Sequence, residues 1–314
     1  MSRTIKAAVV QAGSCGFDRD AGLDKLEDLA AEAARGGAAV AVFPEAFIGG
    51  YPKGIDFGVR LGSRSEAGRD QFRRYYDGAS DLPGSVTERL GEIAAALGLM
   101  LVVGVIERDG GTLYCTVVYI GADGAFMGKH RKLMPTALER VIWGCGDGST
   151  MPVFDTPHGR LGAAICWENY MPLYRAHLYG KGIELYCAPT VDDRDQWQMA
   201  MRHIAWEGRC FVVSACQHLR RGDLPEDLDC IQGNEPETTL IRGGSVIVSP
   251  HGQILAGPVY DHDAVLVADL DLDDIARGKF DLDVVGHYAR PDVFRLQVDE
   301  RAKPFAGSGP IKPE

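Results

Sequence analysis

Short apolar runs alternate with segments of helical spacing along most of this chain, and that alternation constrains the fold more than any other feature. Residues 5–12 (IKAAVVQA) form the first apolar run, which predicts a strand. Residues 18–35 follow with leucines and alanines at helical spacing, between a capping aspartate and two glycines. Residues 38–43 (AAVAVF) then form a short continuous apolar run, which is typical of a buried strand.

The same signals continue to residue 270. They predict further helices at residues 85–97, 170–179 and 196–207, and further strands at residues 100–106, 112–120, 160–165, 184–188, 210–215, 245–248, 253–255 and 264–270. Ser85 followed by Glu88 has the spacing of a capping box at a helix start. Strand pairs and strand–helix units together predict a mixed sheet, or two sheets, covered by helices.

No fixed-period repeat and no linker divides the chain, so we expect one domain over residues 1–290. Residues 220–239 are polar, acidic and rich in turn formers, which predicts a long surface loop. Residues 291–314 contain several prolines and no regular period. We therefore expect a C-terminal tail there that is extended or partly disordered.

The charge balance argues against two classes of partner. The chain of 314 residues carries 33 Lys and Arg against 44 Asp and Glu, a net charge of −11. Such a balance disfavours nucleic acid and anionic membrane surfaces. No apolar run reaches the roughly 18–20 residues of a membrane span. The N-terminal apolar stretch is also too short for a signal peptide.

The cysteine pattern indicates a cytoplasmic protein. The chain has eight cysteines and no Cys-x-x-Cys pair, and several of them lie inside apolar strand-like runs. This is typical of reduced, buried thiols rather than of a disulfide framework. The eight histidines are scattered without the spacing of metal ligands, so no metal site is expected.

Ionisable residues interrupt the ends of apolar runs at three places. Glu45 follows a buried-looking strand and lies between apolar segments, so it is either a strand-end cap or a carboxylate with a raised pKa or a cationic partner. Lys132 ends the basic run at residues 129–132, which is either a solvated face or a source of one inward cation.

Cys166 is the third of these residues. It lies between an apolar strand and a helix, where it is either a small buried hydrophobe or a nucleophile. A thiol held on a sharp turn beside a helix N-terminus has a lowered pKa, which favours the thiolate. We therefore expect an exposed thiol of lowered pKa if Cys166 is catalytic.

Other arrangements are less well supported. Gly144, Gly146 and Gly148 give a Gly-x-Gly-x-Gly run, but it follows no strand and opens no apolar helix, which argues against dinucleotide binding. The chain has neither a phosphate-loop Gly-Lys-Ser/Thr sequence nor a His-Glu-x-x-His motif. A Cys–His pairing formed in space stays open, although no local protease signature surrounds Cys166.

Taken together, the three segments resemble the carbon–nitrogen hydrolase (nitrilase) superfamily. Three sequence segments are similar to the nitrilase branch rather than to its amidase or carbamoylase relatives. They are HRKLMPTALERVIWGCGDGS at residues 130–149, CWENYMPLYR at 166–175 and GHYARPDVF at 286–294. The resemblance extends over about residues 5 to 295. It implies a four-layer αββα sandwich, an α/β fold.

The resemblance also implies roles for individual residues. Carried over by position, Cys166 is the nucleophile, Glu45 the general base and acid, and Lys132 the group that stabilises tetrahedral species. Glu139 matches a second glutamate that supports this Glu–Lys–Cys triad. Tyr51, Trp167 and Tyr170 are expected either to line the substrate pocket or to pack in the core.

The implied reaction is hydrolysis of an organic nitrile to the carboxylic acid and ammonia through cysteine thioimidate and thioester intermediates, without metal or organic cofactor. An amidase, a carbamoylase or a cyanide-processing enzyme uses the same triad, and a catalytically silent assembly protein is the alternative from another class. The family implies a homo-oligomer, either a dimer or a larger spiral. The sequence leaves the kind of nitrile open: aliphatic, aromatic or arylaliphatic.

Overall fold

The computed structural model describes residues 3–303. In that range the strands are β1 (Thr4–Gln11), β2 (Val40–Val42), β3 (Val59–Arg60), β4 (Ser63–Arg64), β5 (Ser80–Asp81), β6 (Met100–Asp109), β7 (Thr112–Ile120), β8 (Phe126–Arg131), β9 (Val153–Thr156), β10 (Gly159–Ala163), β11 (Leu185–Cys187), β12 (Phe211–Ser214), β13 (His218–Arg220), β14 (Thr239–Arg242), β15 (Val246–Val248), β16 (Ile254–Ala256) and β17 (Ala264–Asp271). The helices are α1 (Arg19–Arg35), α2 (Glu66–Asp77), α3 (Ser85–Leu97), α4 (Glu139–Ile142), α5 (Pro172–Gly180), α6 (Asp195–Gly208) and α7 (Asp273–Asp281). Short 3₁₀ segments occur at Gly148–Thr150, Cys166–Tyr170 and Arg221–Asp223.

The strands form two large sheets. The first has the order β17-β1-β2-β6-β7-β8, with β5 beside β6, and its central strands β1, β2 and β6 are parallel. The second has the order β16-β15-β12-β11-β10-β9, with β10, β11 and β12 parallel at its centre. Antiparallel hairpins complete both sheets, as the mixed strand pattern predicted.

Alternate residues along the strands point to opposite faces, and this alternation builds the layers. On β1, Ala7 and Val9 pack in a core shared with Leu161 of the second sheet, while Ala8 and Val10 pack against helices α1 and α3. The outer face of the second sheet packs against α5 and α6 in a separate core. The order of layers is therefore helices, sheet, sheet, helices, and the predicted αββα sandwich is confirmed.

Some local predictions were wrong. The helix expected from residue 170 begins at Pro172 instead, because a 3₁₀ turn precedes it and proline favours the first helical position. The cap of α3 is Gly84, whose N–H donates to Thr87 Oγ1 at 2.9 Å, rather than Ser85 with Glu88. Helices α2 and α7 were not predicted, since each buries only two residues and shows little apolar stripe.

The loop expected at residues 220–239 is irregular beyond its 3₁₀ turn, but it is anchored at its start. Arg221 is buried and donates to the carbonyl oxygens of Leu224 and Leu228. Residues 291–303 of the predicted tail contain no helix or strand, and Glu300 there forms an ion pair with Lys181. Residues 304–314 of that prediction lie outside the described residues. Within residues 3–303, no helix combines the length and apolarity that crossing a membrane requires.

Candidate active site

The two sheets bring Glu45, Lys132 and Cys166 to one place. Glu45 lies just after β2, Lys132 directly follows β8, and Cys166 opens the 3₁₀ segment after β10. The first two therefore come from the first sheet and the third from the second sheet. Glu45 and Lys132 are fully buried and Cys166 is 3% exposed. The basic run at residues 129–132 is thus not a solvated face at its last position.

Lys132 lies between two carboxylates. Its Nζ is 2.6 Å from Glu45 Oε1 and 2.8 Å from Glu139 Oε2. Glu139 also accepts hydrogen bonds from Tyr51 OH (2.8 Å) and from the Thr136 N–H (2.6 Å). The ammonium group is therefore fixed from two sides, and Glu139 is itself held by three donors.

The two oxygens of Glu45 have different surroundings. Oε1 accepts from Lys132 and lies 3.4 Å from the Cys115 thiol, which donates to it. Oε2 has no hydrogen-bond partner among the described residues, although it is fully buried. The Glu45 carbonyl accepts from Gln217 Nε2 at 2.7 Å, which fixes the main chain there. One oxygen of this carboxylate thus remains open to accept a proton.

Burial and neighbouring charges shift the pKa of both charged groups. Burial raises the pKa of Glu45, and the opposing Lys132 charge does not cancel that effect. Burial would lower the pKa of Lys132, but Glu45 and the other acidic groups nearby raise it well above its ordinary value. Lys132 therefore stays cationic, while Glu45 becomes a stronger base than an exposed carboxylate.

Cys166 is held in an uncommon backbone conformation. Its φ is +50°, in the left-handed region that residues with a side chain rarely adopt. Its N–H donates to the Pro189 carbonyl at 2.9 Å, and its carbonyl accepts from Asn169 Nδ2 at 2.8 Å. Thr190 Oγ1 donates to the sulfur at 3.2 Å. These contacts fix the sharp turn after β10, as the strand-to-helix position predicted.

The predicted lowering of the Cys166 pKa was wrong. Burial raises the pKa of this thiol, the Glu45 charge raises it further, and Lys132 opposes both only in part. The 3₁₀ segment that begins at Cys166 has only five residues, and the thiol is buried rather than exposed. The resting thiol is therefore protonated at neutral pH and needs a base to become a nucleophile.

A cavity of about 290 Å³ opens onto Cys166. Its lining includes Tyr51, Glu139 and Trp167. A second cavity of about 690 Å³ adjoins it and shares Tyr51 and Glu139. Tyr170 lines neither cavity, because its ring packs edge-on against Trp167, with 5.8 Å between the ring centroids, and against a buried tryptophan behind it. Of the three aromatic residues expected to line a pocket, two do so.

Glu168 and His130 form a buried pair beside the site that the sequence pattern did not predict. Glu168 is 1% exposed and His130 is fully buried, with His130 Nε2 2.9 Å from Glu168 Oε2. Cys115, which lies in the predicted strand at residues 112–120, is one of the cysteines expected only as buried thiols, yet it contacts Glu45. A signal for Glu168 was present, since a carboxylate three residues beyond the end of the predicted strand at residues 160–165 is unusual for a core position.

The glycine run has a structural reason. A side chain at Gly146 would meet the Arg131 carbonyl at 2.3 Å, and the Gly146 N–H donates to the Lys132 carbonyl at 2.8 Å. The loop therefore packs directly on the backbone beside Lys132, which only glycine permits. In residues 3–303, no group of three or more His, Cys, Asp or Glu side chains is arranged to hold a metal ion.

Comparisons with known proteins show the family and the fold. The chain matches the family described as carbon-nitrogen hydrolase over residues 6–280. It is 59% identical over 299 residues to an aliphatic nitrilase from Sinorhizobium fredii (strain HH103), covering 95% of this chain and 97% of that protein. It is 57% identical over 302 residues to a bifunctional nitrilase/nitrile hydratase from Lupinus angustifolius, covering 95% and 86%. Its fold is similar to that of the Caenorhabditis elegans NitFhit protein, with a TM-score of 0.74 at 20% identity over 96% of this chain and 69% of that one.

Proposed function

The chain belongs to the carbon-nitrogen hydrolase family, and from that premise we propose that it hydrolyses an organic nitrile to the carboxylic acid and ammonia. The observation that carries this proposal is the buried Cys166 thiol beside the Glu45 carboxylate, which has one oxygen paired with Lys132 and the other without a hydrogen-bond partner among the described residues. The relatives named as nitrilases, at 57–59% identity over nearly the whole chain, support the nitrile as substrate.

Glu45 and Cys166 open the reaction in this proposal. Because the thiol is protonated at rest, Glu45 Oε2 takes its proton as Sγ bonds to the nitrile carbon. The carboxyl group then gives that proton to the nitrile nitrogen, whose triple bond becomes the double bond of a thioimidate. No charge is left on the intermediate, and Glu45 returns to its ionised form.

Two waters complete the reaction. Glu45 accepts a proton from the first water as its oxygen adds to the thioimidate carbon, and it delivers that proton to the nitrogen, which gives a tetrahedral species with a hydroxyl and an amine. Glu45 then moves the hydroxyl proton to the amine, which leaves as ammonia while the carbonyl of the thioester forms. Glu45 takes a proton from the second water as its oxygen attacks the remaining thioester, and it gives that proton to the Cys166 sulfur, which leaves as the thiol. The balance is one nitrile and two waters to one carboxylic acid and one ammonia.

Lys132 stabilises the tetrahedral species in this scheme. Its ammonium is held between Glu45 and Glu139, in a buried site where a fixed charge acts strongly on developing negative charge. One such preorganised donor contributes on the order of 10² to 10³ in rate. Glu139 keeps the ammonium in place and remains a supporting residue.

The runner-up is an amidase or carbamoylase, since the same three groups hydrolyse amides. Release of the amide from the first tetrahedral species is a further outcome, and the lupin relative carries both names, nitrilase and nitrile hydratase. We propose the nitrilase reaction because both reported relatives are named for nitriles. Tyr51 and Trp167 are the side chains we assign to the substrate cavity.

A product assay tests this proposal. Purified protein is incubated with small aliphatic, aromatic and arylaliphatic nitriles and with their matching amides, with Cys166→Ala as the blank, and ammonia, acid and amide are quantified. Acid and ammonia from nitriles, with little turnover of amides, is the expected result. Turnover of amides with nitriles untouched would move the chain to the amidase branch, and amide as the main product from nitriles would make it a hydratase.

We also propose a cytoplasmic homo-oligomer, either a dimer or a larger spiral. Leu173 on α5 and Met199 and Trp206 on α6 are apolar yet 69%, 65% and 47% exposed, which supports self-association through this face. Six of the eight free thiols are buried, as is usual in a reducing compartment. Light scattering on the wild type and on Met199→Asp tests the assembly, since a monomeric wild type would contradict it.

A further inference from the structure

The carboxylate of Glu168 contacts the main chain next to two of the active-site residues. Its Oε1 accepts from the Leu133 N–H at 2.6 Å, and its Oε2 accepts from the Ile165 N–H at 2.7 Å. Leu133 is the neighbour of Lys132 in the chain, and Ile165 is the neighbour of Cys166. One side chain therefore holds both of these residues through the backbone beside them.

The two held segments belong to different sheets. Leu133 lies just beyond the end of β8 in the first sheet, and Ile165 lies just beyond the end of β10 in the second. Apolar packing between sheets fills space but allows small sliding shifts, whereas hydrogen bonds fix direction and distance. Glu168 thus supplies directional contacts across the sandwich where Lys132 and Cys166 must face each other.

His130 fixes the orientation of this carboxylate. Its Nε2 lies 2.9 Å from Glu168 Oε2, and its Nδ1 lies 2.6 Å from the Thr150 carbonyl oxygen. Burial lowers the pKa of His130, but the contacts of its two ring nitrogens with Glu168 and the Thr150 carbonyl raise the pKa above its ordinary value, which favours a proton on each nitrogen. The buried carboxylate is therefore paired with a cation and hydrogen-bonded on both oxygens, which is the condition for holding a charge inside a core.

We propose that Glu168 is a positioning residue that sets the separation of Lys132 and Cys166 across the two sheets, with His130 holding its carboxylate in place. The inference rests on the proposed roles of Lys132 and Cys166 in nitrile hydrolysis. Glu168 lines neither cavity and does not contact the reacting atoms, so it acts only through the backbone of its two neighbours.

Glu168→Gln separates positioning from general stability. The amide keeps the shape of the side chain but replaces one acceptor oxygen with an NH₂ group, so either the Leu133 N–H or the Ile165 N–H loses its acceptor. The segment that is released moves relative to the other sheet. A misplacement of about 1 Å costs on the order of 10²-fold in turnover even when the altered residue is not itself reactive.

Glu107→Gln is the matched control. Glu107 is also a carboxylate that is 1% exposed, and it accepts from Thr116 Oγ1, Lys129 and Arg131 next to the same strand β8. None of these donors is the main chain beside Lys132 or Cys166. Both variants therefore remove one acceptor from a buried carboxylate near β8, and they differ in which contact is lost.

The experiment measures kcat and KM for nitrile hydrolysis, the melting temperature, and the rate of Cys166 alkylation by iodoacetamide, resolved by mass spectrometry. For Glu168→Gln we expect kcat to fall about 10²-fold, with KM little changed and slower Cys166 alkylation in folded protein. Glu107→Gln should keep a kcat within a few-fold of the wild type. Equal kcat in the two variants, or kcat losses that follow the melting temperature in both, would overturn the proposal.

A second variant covers the case in which Glu168→Gln does not fold. His130→Gln leaves both backbone hydrogen bonds of Glu168 possible but removes the ring that orients it, so kcat should fall less, while the protein stays folded. An unchanged kcat in folded His130→Gln would also contradict the proposal. If the wild type hydrolyses no nitrile, the proposed function fails; the alkylation rates still decide whether Glu168 positions Cys166.

Discussion

Two buried carboxylates, Glu45 and Glu168, lie close to Cys166, and their hydrogen-bond partners suit them to different tasks. Glu168 has donors on both oxygens, namely two backbone N–H groups and His130. Glu45 has donors only on Oε1, while Oε2 has no partner among the residues described. A carboxylate with both oxygens occupied holds a structure in place, whereas one with an unoccupied buried oxygen can take a proton.

The cations beside them differ in the same way. One ring nitrogen of His130 contacts Glu168 and the other contacts a backbone carbonyl, so both nitrogens are occupied. Lys132 also contacts a second carboxylate, Glu139, beside the cavity that opens onto Cys166. The comparison predicts that changes around Glu45 alter the chemistry, and that changes around Glu168 alter geometry and stability.

Cys166→Ala has the largest expected effect, because the open oxygen of Glu45 matters only if this thiol is the nucleophile. We expect a loss on the order of 10⁶ in kcat, the scale at which removal of a nucleophile stops catalysis, with the melting temperature close to that of the wild type. The rate of ammonia release measures the loss in kcat. Cys187→Ala is the control, since Cys187 is equally buried on β11, and a similar loss there would mean that Cys166 has no special role.

Glu45→Gln is expected to lose on the order of 10² to 10⁴ in kcat, because the amide cannot take the thiol proton. Its cavity and its contact with Lys132 are otherwise kept, so KM should change little. Steady-state kinetics of Glu45→Gln and Glu168→Gln, measured side by side, test the difference between the two carboxylates. A Glu45→Gln variant with more than half of the wild-type kcat would show that some other group is the base.

The pH profile should separate the two carboxylates next. Glu45 must be ionised to act, and burial raises its pKa, so kcat/KM should fall tenfold per unit of pH below that raised value, on the acid side. Lowering the pH protonates Glu45, and the protonated carboxyl group cannot accept the thiol proton, so kcat/KM falls. Glu168→Gln should keep this acid limb and Glu45→Gln should lack it; an acid limb that persists in Glu45→Gln would assign the base elsewhere.

Tyr51→Phe tests whether Tyr51 supports Lys132 through Glu139, and its effect on kcat should be smaller. It removes the 2.8 Å hydrogen bond to Glu139, worth about 1 kcal/mol, or roughly a fivefold change in kcat. Tyr119→Phe is a matched control, because the buried Tyr119 hydroxyl has no hydrogen-bond partner among the described residues. Equal kcat values for the two variants would remove Tyr51 from the support of Glu139.

The smallest expected effect is on the pH dependence of stability, and His130→Gln also measures it. The pKa of His130 in the folded protein is raised above its ordinary value of 6.5, mainly by Glu168 against burial. Its stabilising contribution is therefore complete below pH 6.5 and is lost as pH rises through the raised value. The melting temperature of the wild type should fall more steeply above neutral pH than that of His130→Gln, and parallel curves would contradict the assigned pair.

Sequence periodicity was sufficient for most of the fold. Alternating strands and helices predicted most of the long strands and the helices α1, α3 and α6 nearly to their ends, but they left open whether the strands form one mixed sheet or two. Helices α2 and α7 were not predicted because each is largely polar and buries only two residues. Strand β8 was not predicted either, because it carries the charged residues Lys129 and Arg131. Both of them donate to Glu107, which lies far from β8 in the sequence.

The candidate site was predictable where chemistry follows from position in the chain. Motif resemblance and strand ends indicated Glu45, Lys132 and Cys166, and the fold brings them together. The state of the thiol was not predictable, since its pKa depends on burial and on the Glu45 charge rather than on a helix end. The roles of Glu168 and Cys115 depend on contacts that form only when the two sheets pack.

Because β17 pairs with β1, the first sheet cannot be completed until β17 has been synthesised. Strand β17 ends at Asp271, after every strand of the second sheet has been made, yet it forms the outer neighbour of β1 near the start of the chain. While the polypeptide leaves the ribosome, β1 therefore has an unpaired edge, which is prone to pair wrongly with other chains. A nascent chain stopped before Ala264 would keep that edge open, and it would need a chaperone to stay out of aggregates.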